Sequence, residues 1–409
     1  MNASERRILA VLWLFQFVNY CDRVLISFVA PDMMRDLHIT PDRFGLVMSC
    51  FAVGYVIAQF PGGLMADRRG VRLVMIVGPL LWAALTASVA LTTGLAALII
   101  LRFCFGLSEG VSNPAVYKLL GDGFRPSQRA WAIAMFATSL AVGPALTGPL
   151  IGGLLGFFSW RQLFLVLALP ALLVCALNAR TLPPRVAQET GAGTTDKPPA
   201  SPRTSRSLRD RKLWLIACNY LGFACALFGF MSWMPSYLSM ARHIDIKAGA
   251  LLGGLPYASG ALGMIVIGRA AKGSRSRILA NSLACVQLLA GAALLATLMA
   301  PTGYGSLAGL SAAAFFLFGC YSLSAPLLLE IAPPGARASY GAVYSIVGQI
   351  GSIVAPAVIG LCLARTGSFS GGFIFMTCAL VVASMCAIVL ATLRQESSPA
   401  GAIGSVVDT

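Results

Sequence analysis

Four charged residues lie inside long apolar stretches of the sequence, where they could do chemistry. They are Asp22, Arg23, Arg102 and Glu109. Because a charge at the centre of a lipid bilayer costs several kcal/mol, such a residue is a functional candidate by default. Asp22 and Arg23 are adjacent, so on a helix they point in directions about 100° apart. Arg102 and Glu109 are seven residues apart, which places them on one helix face, two turns apart.

The types of these residues indicate recognition of an anion together with proton transfer. The arginine guanidinium has a fixed two-pronged donor geometry that matches a carboxylate. Aspartic or glutamic acid in a partly dry cavity has its neutral form favoured, so it can load and release a proton. The alternative is a set of structural salt bridges, Asp22 with Arg102 and Arg23 with Glu109. Buried ion pairs are often no more stabilising than apolar replacements, which favours a role in a cavity.

Composition identifies the elements that must position these residues. The 409-residue chain is 57% hydrophobic and only 11% charged, with a mean hydropathy of +0.80. Soluble proteins carry about 25% charged residues, so a soluble enzyme, a nucleic-acid binder and a disordered chain are excluded. A membrane span needs about 20 mostly apolar residues. The sequence predicts twelve spans, near residues 7–30, 44–66, 72–92, 94–119, 129–157, 161–182, 213–240, 247–270, 277–299, 304–330, 337–364 and 370–394.

The basic residues predict the orientation in the membrane. The chain has 30 Lys and Arg against 15 Asp and Glu. If the N terminus is cytoplasmic, most of the basic residues fall in cytoplasmic segments, as the positive-inside rule requires. Both termini are therefore expected in the cytoplasm, and the net charge needs no nucleic-acid partner. The apolar stretch after Arg6 and Arg7 has no cleavage site of the A-x-A type, which indicates a retained first helix.

A polar stretch rich in Pro, Ser, Thr and basic residues divides the spans into six and six. We expect an N-terminal bundle over 1–182, a flexible basic cytoplasmic linker over 183–212, a C-terminal bundle over 213–394 and a cytoplasmic tail over 395–409. The loop at 122–129 after span 4 resembles that at 330–337 after span 10. Two similar six-helix halves are typical of a transporter with a central site.

Other chemistry finds little support in the sequence. The eleven cysteines form no C-x-x-C pair, and neither His38 nor His243 has a neighbour suited to a metal or a catalytic triad. A phosphate-binding G-x-x-x-x-G-K-S/T loop does not occur either. We therefore predict a protein that is not an enzyme, needs no metal or cofactor, and is not driven by ATP on its own.

The loop after span 2 carries a known signature. Residues Gly63-Leu-Met-Ala-Asp67-Arg68-Arg69-Gly70-Val71-Arg72 resemble the G-x-x-x-D-R-x-G-R-R motif of the major facilitator superfamily, with Val71 in place of a basic residue. The resemblance implies an all-α membrane protein with twelve transmembrane helices in two six-helix bundles. It also implies a gating motif, made of Gly63, Asp67, Arg68, Gly70 and Arg72.

A finer resemblance is to the anion:cation symporter branch, which includes bacterial sugar-acid/proton symporters, sialin and the vesicular glutamate transporters. It rests on the segments at 19–23, 54–63, 102–110, 233–238 and 255–257. It implies that Arg23 meets the substrate carboxylate and that Asp22 and Glu109 carry the coupled protons. It further implies that Arg102 balances charge or contacts the anion, and that Tyr55 hydrogen-bonds near the site.

The remaining expected substrate contacts are Gln59 in span 2 and four residues of the second half, Tyr257, Tyr344, Ser345 and Gln349. Ser345 and Gln349 stand where this branch often has asparagines, and Ser139-Leu140 stands where some relatives carry an amide. The second copy of the loop motif, at 268–272, lacks the Asp. These departures indicate a substrate that differs from those of the better-known members of this branch.

The sequence as a whole predicts a secondary active transporter of the bacterial inner membrane. We expect proton-coupled uptake of a small organic anion, such as a sugar acid or another carboxylate, by a monomer working through alternating access. One alternative is a proton-coupled antiporter that exports a drug or an anionic metabolite, since Gly148-Pro149 in span 5 resembles an antiporter motif. The two arginines argue against cationic drugs. The other alternative is a membrane sensor that binds without translocation.

Overall fold

Long helices account for almost all of the chain that the computed structural model describes, which is residues 1–182, 210–244, 246–272, 274–333 and 337–393. The first half holds α1 (Ala3–Asp36), α2 (Pro41–Arg69), α3 (Val71–Val89), α4 (Leu95–Asp122), α5 (Pro126–Ala137), α6 (Ser139–Leu154) and α7 (Trp160–Thr181). The second half holds α8 (Arg211–Met240), α9 (Ile246–Ala270), α10 (Ser276–Met299), α11 (Gly303–Ile331), α12 (Arg337–Thr366) and α13 (Ser370–Leu393). Most of the expected linker and the whole expected tail lie outside the described residues.

These helices correspond to the twelve predicted spans, with α5 and α6 together forming the fifth. The two helices meet at Thr138, whose hydroxyl donates to the Met135 carbonyl at 2.7 Å. The Ser139 hydroxyl donates to the Phe136 carbonyl at 2.6 Å in the same way. Hydrogen bonds from a hydroxyl to a carbonyl of the preceding turn bend helices. Pro144 adds to this because proline has no backbone N–H to donate. Span 5 is therefore one membrane crossing built with a bend.

The helices have the length and the surface of membrane spans. Eleven helical segments in the described part of the chain are long and apolar enough to cross a bilayer, and α9 adds a further helix of 25 residues. Large apolar side chains also lie on the outside of the protein, such as Phe60, Leu91 and Phe157, which are 77%, 80% and 85% exposed. An apolar exterior of this extent suits lipid rather than water. The protein is a multi-pass membrane protein.

The helices form two six-span bundles, α1–α7 and α8–α13. Within the first, α2 packs on α4 and α3 on α7; within the second, α9 packs on α11 and α8 on α12 and α13. The most extensive contacts between the bundles are those of α1 with α8, α2 with α12 and α6 with α9. We call the end that carries Ala3 and Arg69 the terminal end, and the end that carries Asp36 and Pro41 the far end.

Close backbone contacts join the bundles near the far end. A Cβ on Gly45 would lie 2.5 Å from the Pro356 carbonyl oxygen, and one on Gly360 would lie 2.5 Å from the Pro41 carbonyl oxygen. The Ser236 hydroxyl donates to the Ser27 carbonyl across the same boundary at 3.3 Å. Because only glycine lets backbones approach so closely, these positions form a seal between the bundles.

Glycines also set the spacing of α2 and α4, which carry much of the site. A Cβ on Gly54 would lie 2.2 Å from the Phe103 carbonyl oxygen, and one on Gly106 would lie 2.1 Å from that of Phe51. A side chain at either position would clash with backbone atoms of the other helix, so a larger residue would push the two helices apart. The two helices are held in direct contact, and this brings the aromatic side chains of α2 next to the charges of α4.

Candidate functional site

A cavity of about 460 Å³ lies between the two bundles. Its wall includes six of the predicted substrate contacts, which are Arg23, Tyr55, Gln59, Arg102, Ser345 and Gln349. The cavity reaches Pro356 at the far-end seal and extends toward the terminal end as far as Gln16 and Gln59. Residues from distant parts of the sequence, on both halves of the chain, therefore meet around one space.

Arg23 is held in the cavity wall by an acid and by aromatic rings. Its Nη2 lies 2.7 Å from Glu109 Oε2, and the two side chains are 17% and 0% exposed. The guanidinium carbon lies 4.8 Å from the centre of the Phe51 ring, 4.9 Å from that of Tyr55 and 5.4 Å from that of Tyr20. Aromatic faces stabilise a cation without neutralising it. Arg23 faces the cavity with Glu109 behind it.

Asp22 points elsewhere, as its position beside Arg23 on the helix predicts. One of its oxygens, Oδ2, accepts a hydrogen bond from the indole Nε1 of Trp82 on α3. The other oxygen, Oδ1, is buried and makes no hydrogen bond of ordinary geometry among the described residues, although the Thr86 hydroxyl of α3 also interacts with this carboxylate. Asp22 is 2% exposed, and among the described residues it is not part of the cavity wall. It is thus a buried acid behind the wall.

Arg102 lines the cavity and is 4% exposed. Its Nε has no hydrogen-bond partner, and its side chain has no ion pair within 4.0 Å among the described residues. It interacts electrostatically with Asp22 and Glu109 at longer range, and its guanidinium carbon lies 5.5 Å from the Phe105 ring centre. Of the two salt bridges considered from the sequence, the Arg23–Glu109 pair is present, whereas Asp22 bonds Trp82 in place of Arg102.

The predicted contacts of the second half fall into two groups. Ser345 and Gln349 line the cavity. Tyr344 stacks on Tyr220, a cavity residue, with ring centres 4.1 Å apart and planes at 15°. Tyr257 lies away from the cavity: it is fully buried in the core of the second bundle, where its hydroxyl donates to the Met231 carbonyl at 3.3 Å. It packs edge-on against Phe230 and Phe318.

Several cavity residues were not predicted from the sequence. They include Gln16, Tyr20, Phe51, Asn113, Tyr117, Tyr220 and Tyr321. One signal could have found Tyr220, because the pair Asn19-Tyr20 beside the first charges recurs as Asn219-Tyr220 in span 7. The others are common residues in apolar spans, and their spacing alone does not distinguish a cavity wall from a packed core.

The loop motif lies at the terminal end, where Asp67 forms an ion pair with Lys118 of α4. Gly70 has a φ of +90°, a conformation that glycine adopts without strain. Arg72 Nη2 donates to the Ala179 carbonyl at 2.6 Å, while Arg68 is exposed. The partner of the motif Asp is thus a lysine 51 residues later, which the motif itself does not indicate.

The described parts of the chain contain no group of three or more His, Cys, Asp or Glu side chains placed to hold a metal ion.

Two bacterial transporters are similar to this chain along nearly its whole length. The hexuronate transporter of Bacillus subtilis is 28% identical over 404 residues, which cover 94% of each chain. A probable sulfoacetate transporter of Cupriavidus necator is 29% identical over 420 residues, which cover 98% of this chain and 97% of the relative.

The fold has a close counterpart among solved structures. The crystal structure of a bacterial homolog to the human lysosomal transporter Spinster, in an inward-facing and unoccupied conformation, aligns with a TM-score of 0.83. The alignment covers 98% of this chain and 100% of the other at 18% identity, so it speaks for the fold alone. The family model of the Major Facilitator Superfamily matches residues 12–356. The chain belongs to the major facilitator superfamily, and it is a transporter and not an enzyme.

Proposed function

We propose that this protein is a proton-coupled symporter that takes up a small organic anion, such as a sugar acid or another carboxylate, across the bacterial inner membrane. The observation that carries the proposal is the Arg23–Glu109 ion pair at the cavity wall, with Arg23 partly exposed to the cavity and Glu109 behind it. This pair joins a site for an anion to a site for a proton.

Recognition of the anion is assigned to Arg23. Its guanidinium is fixed by one acid and three aromatic rings, so it can turn a preoriented donor edge toward a carboxylate or sulfonate at little entropic cost. Arg102 adds a second positive charge to the same wall. Gln59, Ser345 and Gln349 offer neutral hydrogen bonds to the rest of the substrate. The two transporters described above carry names that specify anions, a hexuronate and a sulfoacetate, which supports this assignment.

Coupling follows from competition for Arg23. While Glu109 is ionised it holds the guanidinium, and a substrate anion must compete with it. When Glu109 takes a proton, its attraction for Arg23 weakens and the guanidinium becomes available to the substrate. Asp22 is assigned a second proton, because its Oδ1 is buried near Arg102 and Glu109. The four ionised residues sum to a net charge of zero, so the closed cavity stays neutral when each loaded proton is matched by one negative charge on the substrate, one proton for a monoanion and two for a dianion.

Movement of the two bundles would carry the loaded site across the membrane. With both termini cytoplasmic, the far end faces outward, so the seal of Gly45, Gly360 and their partners closes the outside while the cavity reaches toward the cytoplasm. Rocking of one bundle against the other would open the seal and close the terminal end. The Asp67–Lys118 pair lies at that end and is assigned to gating.

Uptake into proteoliposomes tests the proposal. The purified protein is reconstituted, and accumulation of labelled glucuronate and sulfoacetate is measured with an inward proton gradient and without one. We expect gradient-driven accumulation, and we expect Glu109→Gln to retain exchange but lose accumulation. Glu330→Gln, which removes a carboxylate outside the cavity wall, serves as the matched control. Depletion under the same gradient would favour the antiporter, and accumulation by Glu109→Gln would place the coupled proton elsewhere.

A further inference from the structure

The indole of Trp82 lies between two residues of α1 that share one face of that helix. Its ring packs edge-on against Phe15, with ring centres 5.6 Å apart and planes at 81°. Its Nε1 donates to Asp22, seven residues and two helical turns further along. Trp82 is 1% exposed and Phe15 is 2% exposed. The ring contact therefore fixes the direction of the N–H, which points at a single carboxylate oxygen.

The two oxygens of Asp22 are not equivalent. Oδ2 accepts the indole hydrogen bond, whereas Oδ1 is buried without a hydrogen bond of ordinary geometry. The Thr86 hydroxyl of α3 also interacts with this carboxyl group, and a hydroxyl can donate to an ionised carboxylate or accept from a protonated one. An indole nitrogen donates and cannot accept, so a proton arriving at Asp22 has no stable position between Oδ2 and Trp82. The charged groups that interact with Asp22 are Arg102 and Glu109 of α4, and the titratable Cys21 lies beside it on α1. Oδ1 is therefore the oxygen that can take the proton.

We propose that Trp82 is a positioning residue for proton binding: it holds Oδ2 of Asp22, directs the proton to Oδ1 and sets the pH at which Asp22 is loaded. The proposal rests on the proposed function in one respect, that Asp22 carries a proton during transport. Glu109 follows a similar pattern: Oε2 is bound to Arg23, and Oε1 is buried without a hydrogen bond of ordinary geometry, although the Asn19 side chain also interacts with this carboxylate. In Asp22 the donor is neutral and belongs to a helix that does not line the cavity, so the substrate does not compete for it.

The inference predicts a directional change when the donor is removed. A hydrogen bond to the ionised form of an acid favours that form. Its loss, for a bond to a charged group, corresponds to a shift of about one to two pH units. Trp82→Phe keeps the packing against Phe15 but removes the N–H. We expect the pH of half-maximal gradient-driven uptake to rise by about one unit or more in this variant.

Trp233→Phe is the matched control. Trp233 is 2% exposed, and its indole donates at 3.0 Å to the Pro356 carbonyl of the far-end seal, so this variant is compared through the Asp22 carboxyl band and not through uptake. Both variants remove one buried indole hydrogen bond, so a general loss of stability affects both. Phe15→Leu is a second variant, which leaves the N–H in place but removes the ring that orients it. It should shift the pH profile in the same direction by a smaller amount.

An infrared titration separates failure of this inference from failure of the proposed function. The protonated carboxyl band that Asp22→Asn removes is followed against pH in reconstituted wild type, Trp82→Phe and Trp233→Phe. We expect its midpoint to rise in Trp82→Phe alone. An unchanged midpoint in Trp82→Phe, or no band that Asp22→Asn removes, overturns the inference. If the midpoint rises but Asp22→Asn still accumulates substrate, Trp82 does control this protonation and the proton-carrying role of Asp22 is what fails.

Discussion

The two bundles contribute differently to the cavity they enclose. The first supplies the charged residues, with Arg23 and Arg102 in the wall and Asp22 and Glu109 behind it. In the described residues that line the cavity from the second bundle, the polar groups are neutral: Tyr220, Ser232, Tyr321, Ser345, Gln349 and Ser352. Charged side chains are thus concentrated on one side of the boundary, and neutral hydrogen-bonding groups and aromatic faces lie on the other.

Matching positions in the two halves make the difference specific. Counted from the pairs Asn19-Tyr20 and Asn219-Tyr220, Gly222 and Phe223 stand where Asp22 and Arg23 stand. Gly222 allows close packing, since a Cβ there would lie 2.4 Å from the Ala379 carbonyl oxygen, and Phe223 is buried in the core.

A second matching pair lies in spans 4 and 10. Glu109 lies five residues before Pro114, and Tyr321 lies five residues before Pro326. Tyr321 lines the cavity, so this position also contacts the central space but carries no charge. In the proposed transport cycle, this asymmetry would let the first bundle hold proton and anion while the second moves against it, without separating buried ion pairs across the boundary.

The largest expected effect tests the charged side of the comparison. Arg23→Ala should weaken substrate binding at least about 30-fold, because truncating a buried charge that holds a carboxylate costs about 2–5 kcal/mol. Binding is measured by calorimetry on protein that remains monodisperse in detergent. Since the variant also leaves Glu109 buried without its partner, Arg23→Ala with Glu109→Gln is measured alongside. Arg35→Ala, at an exposed position of α1, is the control, and retained affinity in the double variant would remove Arg23 from the site.

A second prediction concerns the boundary between the bundles. Gly45→Ala places a methyl group against the Pro356 backbone, which cannot rotate away. Overpacking of this kind costs about 1–3 kcal/mol, so the ratio of the sealed to the open state should fall about fivefold or more. Hydrogen exchange in nanodiscs should speed up in segments 37–48 and 353–366. Gly153→Ala, with no heavy atom within 4 Å of the new Cβ, should leave exchange unchanged. Equal exchange in both variants would mean that this contact does not seal the far end.

A smaller effect is expected at the loop motif, which only the first half has in full. Asp67→Asn breaks the pair with Lys118, and we expect turnover to fall several-fold with unchanged substrate affinity. The pair is partly exposed, and such pairs contribute about 0–1 kcal/mol, so the effect on stability should be small. Exchanging the charges in Asp67→Lys with Lys118→Asp should restore turnover. Lys272→Ala in the second copy is the control, and equal losses in both copies would contradict a special role for the first.

Sequence patterns predicted the fold because span length and apolar content are properties of single segments. The four buried charges could be predicted for the same reason, since each conflicts with the lipid around it. The rotation between adjacent helical residues even predicted that Asp22 and Arg23 face different ways. The partners of each charged residue on the other helices could not be deduced, because they depend on contacts between segments that are distant in the sequence.

Trp82, Lys118 and Tyr257 illustrate this limit. An indole in an apolar span is consistent with packing alone, and only the contact with α1 indicates a role near Asp22. A lysine at the end of α4 is consistent with a loop charge until Asp67 is seen beside it. Tyrosine has an apolar ring and a polar hydroxyl, so it suits both a core and a cavity wall. The sequence therefore did not distinguish Tyr257, which lies in the core, from Tyr55, which lines the cavity.

The smallest expected effect tests the neutral side of the comparison. Gln349 lines the cavity, and its Oε1 accepts a hydrogen bond from the Ser352 hydroxyl at 3.0 Å. A neutral hydrogen bond contributes about 1 kcal/mol, so Gln349→Ala should weaken substrate binding about fivefold and leave the pH of half-maximal uptake unchanged. Tyr257→Phe, which removes a hydroxyl from the core of the same bundle, should lower thermal stability and leave affinity within about twofold. A shift of the pH profile in Gln349→Ala would show that proton coupling extends into the second bundle, and the division of labour between the bundles would then be wrong.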